Sequence, residues 1–181
     1  MVITHPATSG ELVLFDGLAP FVAGLPHLDT NWSKVPFARL ERDDRLAPGR
    51  ADAIAAEWDA YLATMAGLGY TAVAVDDLAH LVSHAWYPAP LRRLLADYRA
   101  LYVRLFTAAR AHGLGVYAVT DYCFSNPAID ARMAETGASE LDFFLDAVDV
   151  AFRDFPVLDG LVVRLGESDG VDVADRFTSR L

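Results

Sequence analysis

Two periods of apolar residues alternate along the chain. From 51 to 66, Ile54, Trp58, Tyr61, Leu62 and Met65 recur at helical spacing. Gly67 and Gly69 then close the stretch, glycine being the residue that accepts left-handed C-cap geometry without strain. The next run, 71–75, is apolar or β-branched at every position. A continuous run of that kind suits a strand buried on both faces, as in a parallel sheet. The same order returns twice. Pro90 precedes a long stripe of Leu94, Leu95, Tyr98, Leu101, Tyr102, Leu105 and Phe106. Gly113 and Gly115 break it, and a strand follows at 116–119. Ser139 and Asp142 then have the S-x-x-D spacing of a capping box, the helix runs to Pro156, and a strand follows at 161–165.

Helix, glycine break and buried strand in regular alternation predict right-handed crossovers and a parallel sheet. Upstream, 11–15 and 21–25 read as short strands, with 21–28 expected to supply the first strand of the repeating series. Segments 33–50, 78–90 and 122–138 read as long loops, each following a strand. The expected architecture is therefore a single α/β domain over 1–181, forming the N-terminal half of a (β/α) barrel with parallel strands. A complete eight-stranded barrel takes ~250 residues, so the expectation includes a missing C-terminal half or a second copy of the chain as partner. A small doubly wound domain is the alternative.

Composition narrows the function classes. The chain is 54% apolar and 22% charged, which fits a globular domain with a real core. It carries 25 acidic against 15 basic residues, a formal net charge of −10, with Lys34 its only lysine. Binding to a phosphate backbone needs clustered Lys and Arg, so nucleic acid is not an expected partner. Cys123 is the only cysteine, which rules out an intramolecular disulfide and suits a reducing, cytoplasmic setting. No apolar run approaches the ~20 residues of a membrane helix, and the N-terminus lacks a signal-peptide pattern.

The chemistry is expected where the strands end. The strand ends read Asp29-Thr30-Asn31-Trp32, Asp76-Asp77, Asp121-Tyr122 and Arg164-Leu165-Gly166-Glu167-Ser168-Asp169-Gly170. Carboxylates at the C-terminal ends of parallel strands converge on one mouth, where burial and mutual repulsion separate their pKa values. Arg164 stands inside an apolar strand and needs a partner, for which Asp76, Asp121 and Glu167 are the candidates. It could equally bind a substrate carboxylate. His80 and His84 stand four apart, a spacing seen in metal-binding helices, but without the glutamate of H-E-x-x-H. Trp32 and Trp86 lie in post-strand segments from which an aromatic face could stack on a sugar. No glycine-rich nucleotide loop, nucleophile elbow or C-x-x-C occurs.

From Tyr61 to Gly170 the layout resembles the front half of the catalytic barrel in glycoside hydrolases of the α-glucuronidase and β-hexosaminidase type. The segments that carry it are YLATMAGLGYTAVAVDD, ARAHGLGVYAVTDYCFSNP and FPVLDGLVVRLGESDG. The resemblance implies a carbohydrate substrate, no cofactor and no metal. It places the general acid at Glu167, with Asp169 as rival because the turn is one residue longer than the α-glucuronidase pattern. Asp29, Asn31, Trp32, Asp76, Asp77, Trp86, Asp121 and Arg164 are then the expected substrate contacts, and a second catalytic carboxylate comes from later strands. Two other readings stay open: a carbohydrate-binding domain without catalysis, and a metal-dependent barrel enzyme using His80, His84 and the strand-end acids.

Overall fold

The computed structural model of the chain describes residues 12–25, 34–164 and 176–180, without the side chains of 179 and 180. In chain order the elements are β1 (Leu14–Asp16), α1 (Ala19–Val22), α2 (Phe37–Leu40), β2 (Glu41–Arg42), β3 (Arg45–Leu46), α3 (Arg50–Gly67), β4 (Ala72–Asp76), α4 (Leu78–Leu81), α5 (Ala89–Ala111), β5 (Gly115–Asp121), β6 (Cys123–Ser125), α6 (Pro127–Thr136), α7 (Glu140–Asp154), β7 (Gly160–Arg164) and β8 (Thr178–Arg180).

Four strands form one sheet in the order β1-β4-β5-β7, and every pair is parallel. Strand order follows chain order without reversal. A doubly wound domain reverses its order at a switch point, so that alternative is set aside. Helices α3, α5 and α7 are the three long crossovers; α3 packs along α5, and α5 meets the C-terminal end of α7. The Trp58 indole on α3 is fully buried and donates from Nε1 to the Leu105 carbonyl on α5 at 2.9 Å. Phe106 of α5 meets Phe155, just past α7, edge to face. The sheet is open among the described residues, and the architecture is mixed α/β around a parallel sheet.

Paired residues in a parallel sheet point to the same side. Phe15, Val73, Val75, Val116 and Ala118 form the side that joins the helices in the core. The other side carries Ala72, Ala74, Gly115 and Gly160, with Tyr117 as its large residue. Small neighbours are required there: a Cβ added at Gly160 would stand 2.8 Å from the Tyr117 ring. The same side, at the C-terminal strand ends, carries Asp76, Asp121 and Arg164.

Local chemistry explains the element ends. Ser139 and Asp142 make the reciprocal capping box expected from the sequence. Asn126 caps α6, accepting from Ala128 N and Ile129 N at 2.9 Å each, with Pro127 in the first turn. Several expectations are corrected. The first sheet strand is Leu14–Asp16, not 21–28. Phe21 lies in α1, where Pro20 supplies the φ of a first helical turn, and it is fully buried. The expected loop at 33–50 contains α2 and a β2–β3 hairpin turned by Asp43 and Asp44, both at positive φ (52° and 57°), which aspartate tolerates better than most residues. The loop at 78–90 begins with α4, and that at 122–138 contains β6 and α6. Strand β6 pairs antiparallel with β8, which brings residues 177–178 back beside the sheet's C-terminal edge. No helix among the described residues is long and apolar enough to cross a membrane.

Candidate functional site

The four parallel strands end in Asp16, Asp76, Asp121 and Arg164. Register sets Asp121 directly beside Arg164. The Arg164 guanidinium bridges two strands: Nη1 lies 3.0 Å from Asp76 Oδ1 and Nε donates to Asp121 Oδ1 at 3.0 Å. The other oxygen of each acid is tied to the segment that enters α2. Lys34 Nζ donates to Asp121 Oδ2 at 2.6 Å, and Val35 N donates to Asp76 Oδ2 at 3.1 Å. The expected ion pair of Arg164 thus exists, with both candidate strand-end aspartates at once. The third candidate, Glu167, lies outside the described residues.

Burial decides the electrostatics. Asp76 is 7% exposed. Desolvation pushes its pKa up from 3.8 to about 7, with further upward pressure from Asp77 and Asp16. The Arg164 charge and the Val35 N–H pull the other way and do not compensate. A single guanidinium shared between two carboxyls replaces less of the lost hydration than each acid had in water. Burial opposes the Arg164 charge as well, but Asp76, Asp121 and Asp77 together raise its pKa. Asp16 is raised by burial, against the Leu18 N–H and Arg164. Asp76 is therefore a carboxyl that exchanges its proton near neutrality, set beside a second carboxyl held by two cations.

Asp77 follows on the loop to α4 and caps that helix. Its Oδ1 accepts from the His80 backbone N at 3.0 Å and faces His80 Nδ1 at 2.6 Å. Lys34, Val35, Phe37, Asp76, Asp77, Thr120, Asp121, Phe124, Arg164 and Phe177 line one cleft, polar at the strand ends and aromatic opposite. Its volume is about 40 Å³, room for about three ordered waters. A more open hollow of about 280 Å³ lies at the start of α3, where Arg45 holds Asp97 through two hydrogen bonds of 2.6 and 2.7 Å. It lacks a buried titratable group of the Asp76 kind.

Of the residues expected from the sequence, Asp76, Asp77, Asp121 and Arg164 come together in the cleft. Asp29, Asn31, Trp32, Glu167 and Asp169 lie outside the described residues. Trp86 does not line the cleft; it stacks on His84 at 4.8 Å and meets Tyr87 and Phe143. His80 faces Asp77, whereas His84 stands 3.8 Å from Asp146 on α7. Among the described residues no group of three or more His, Cys, Asp or Glu side chains could hold a metal ion.

Two members of the site escaped the sequence reading. Asp16 is an acid closing an apolar strand like the others, but an expected first strand at 21–28 points away from it. Lys34 was visible as the chain's only lysine but carried no periodic signal. No family model, curated protein or solved structure matches the chain.

Proposed function

We propose that the chain is part of a (β/α) barrel with a glycoside-hydrolase-like, carbohydrate-active site at the C-terminal ends of its strands. The observation that carries this reading is the pair Asp76 and Asp121. One carboxyl is buried and titrates near neutrality, and the other lies against Lys34 and Arg164. Two carboxyls held in unlike environments are what acid-assisted glycoside cleavage requires. In this reading Asp76, in place of the Glu167 that the resemblance implies, passes its proton to the departing oxygen as the bond to the sugar carbon breaks, and water supplies the hydroxyl that replaces it. Asp77 and Asp121 accept sugar hydroxyls, Phe37, Phe124 and Phe177 offer the apolar side, and Glu167 or Asp169, after β7 in sequence, adds a further acid. Sequential strand order and the acids trailing β1, β4 and β5 support the barrel part of the reading.

The test screens the full chain against aryl glycosides, including uronides, from pH 5 to 8. Calorimetry with the matching free sugars runs in parallel. Turnover should fall at least ~100-fold in Asp76→Asn, with sugar binding retained. Turnover unaffected by Asp76→Asn, or no sugar bound at all, removes the proposal. One observation favours a second reading, a sugar-binding domain without turnover: Arg164 already occupies Oδ1 of both acids. Binding with no product from any glycoside would select it.

A further inference from the structure

His80 is 1% exposed and sits on α4, one turn beyond the strand-end acids. Its ring lies flat on Phe37, with centroids 3.6 Å apart and planes 13° apart. Tyr98 of α5 and Phe177 close on it edge-on at 4.8 and 5.3 Å. Three aromatic rings thus cover the imidazole, and its Nε2 is buried without a partner among the described residues. All its side-chain polar bonding goes through Nδ1 to Asp77 Oδ1, the oxygen that also accepts the His80 backbone N–H. A carboxylate oxygen only accepts, so the Nδ1–Oδ1 contact puts a ring proton on Nδ1. Asp77 Oδ2 accepts no hydrogen bond from the described residues. Asp77 lines the cleft, and its charge acts on the neighbouring Asp76.

We infer that His80 is a positioning residue for the cleft: by locking Asp77 Oδ1 it leaves Oδ2 as the acceptor for a ligand hydroxyl and fixes the Asp77 charge beside Asp76. The usual arrangement of a histidine–aspartate pair is reversed. The histidine is the buried orienting member, and the aspartate is the one that meets the ligand. Removing His80 frees the Asp77 carboxylate to turn toward water, where its repulsion of Asp76 is screened. The charged and titratable groups around this pair are Asp76, Asp121, Asp16, Arg164 and Lys34 at the strand ends. On the other side are Tyr98 and Tyr102 from α5, and Glu41 with its partner Arg176. The Tyr98 hydroxyl donates to Phe37 O and contacts Glu41, so neither tyrosine hydroxyl competes for Asp77.

The inference deepens the proposed function, because Asp77 lines the same cleft, but its test needs no sugar. Carboxyl carbons of the full-length, ligand-free chain are titrated by NMR in wild type, His80→Phe, Asp77→Asn and the double variant. His80→Phe should lower the Asp76 midpoint by at least about half a pH unit. In the Asp77→Asn background the same substitution should change nothing further. His80→Gln, whose amide can donate to Asp77, should restore part of the shift. An equal shift in both backgrounds, or none in wild type, overturns the inference, since a purely structural role would not discriminate between them. The imidazole nitrogen spectrum of the wild-type chain decides independently of how any His80 variant folds: an Nδ1 that carries no proton overturns it as well. Failure of sugar binding with the coupling intact would remove the proposed function alone.

Discussion

Asp76 makes the folded state sensitive to pH in an unusual direction, and Asp76→Asn isolates the effect. The Asp76 pKa is about 7 in the folded chain against 3.8 for the free side chain. A raised acid binds its proton more tightly when folded, so its stabilising effect is complete below the unfolded pKa and disappears as pH rises through 7. Three pKa units at 1.36 kcal/mol each give a total of about 4 kcal/mol. Between pH 5 and pH 8 the same linkage yields a change of about 3 kcal/mol, because at pH 5 the unfolded chain has already released most of this proton. Asparagine keeps the shape and loses the titration. The difference in unfolding free energy between Asp76→Asn and wild type should therefore shift by about 3 kcal/mol in favour of the variant from pH 5 to pH 8. Asp97, Asp142 and Asp154, whose pKa values are lowered, act in the opposite sense in both proteins and cancel in the difference. Urea unfolding followed by circular dichroism at four pH values measures it. Parallel curves for the two proteins would refute the claim that burial of Asp76 outweighs its arginine.

Arg164→Gln should raise the Asp76 midpoint above 7 and cost about 3 kcal/mol at pH 7, because two packed carboxyls lose the cation between them. Urea unfolding at pH 7 reads the loss; one below ~1 kcal/mol would mean the bridge contributes only what an exposed pair does. Gly160→Ala should cost about 1–2 kcal/mol, since its methyl meets the Tyr117 ring. Most of that loss should vanish in a Tyr117→Leu background, and equal losses in both backgrounds would show that the ring is not the obstacle.

What was legible in the sequence was periodic or covalently local. The stripes through Trp58 and Tyr98 and the segment between Ser139 and Pro156 identified three helices, and the apolar runs after them identified three parallel strands, because period decides which face can be buried. The Ser139–Asp142 capping box was readable because both partners lie within one turn. Segments whose conformation comes from one or two residues were missed: the Asp43–Asp44 turn, the α1 turn at Pro20, the Asn126 cap that starts α6. Trp86 followed the same logic in reverse. Its position after a strand suggested the mouth, but its ring found His84 and Phe143, contacts that depend on where α7 packs.

The sequence by itself determined the three long helices, the parallel strands that follow them, and Asp76 and Asp121 as acids ending two of those strands, since propensity and burial pattern act along the chain. Only the tertiary structure decided strand order, the register that sets Asp121 beside Arg164, and the approach of Lys34 and Val35 to the strand ends. The unusual protonation of Asp76 belongs to that second class: it arises from water excluded by groups far away in sequence, and solvent exclusion has no signature in a linear pattern.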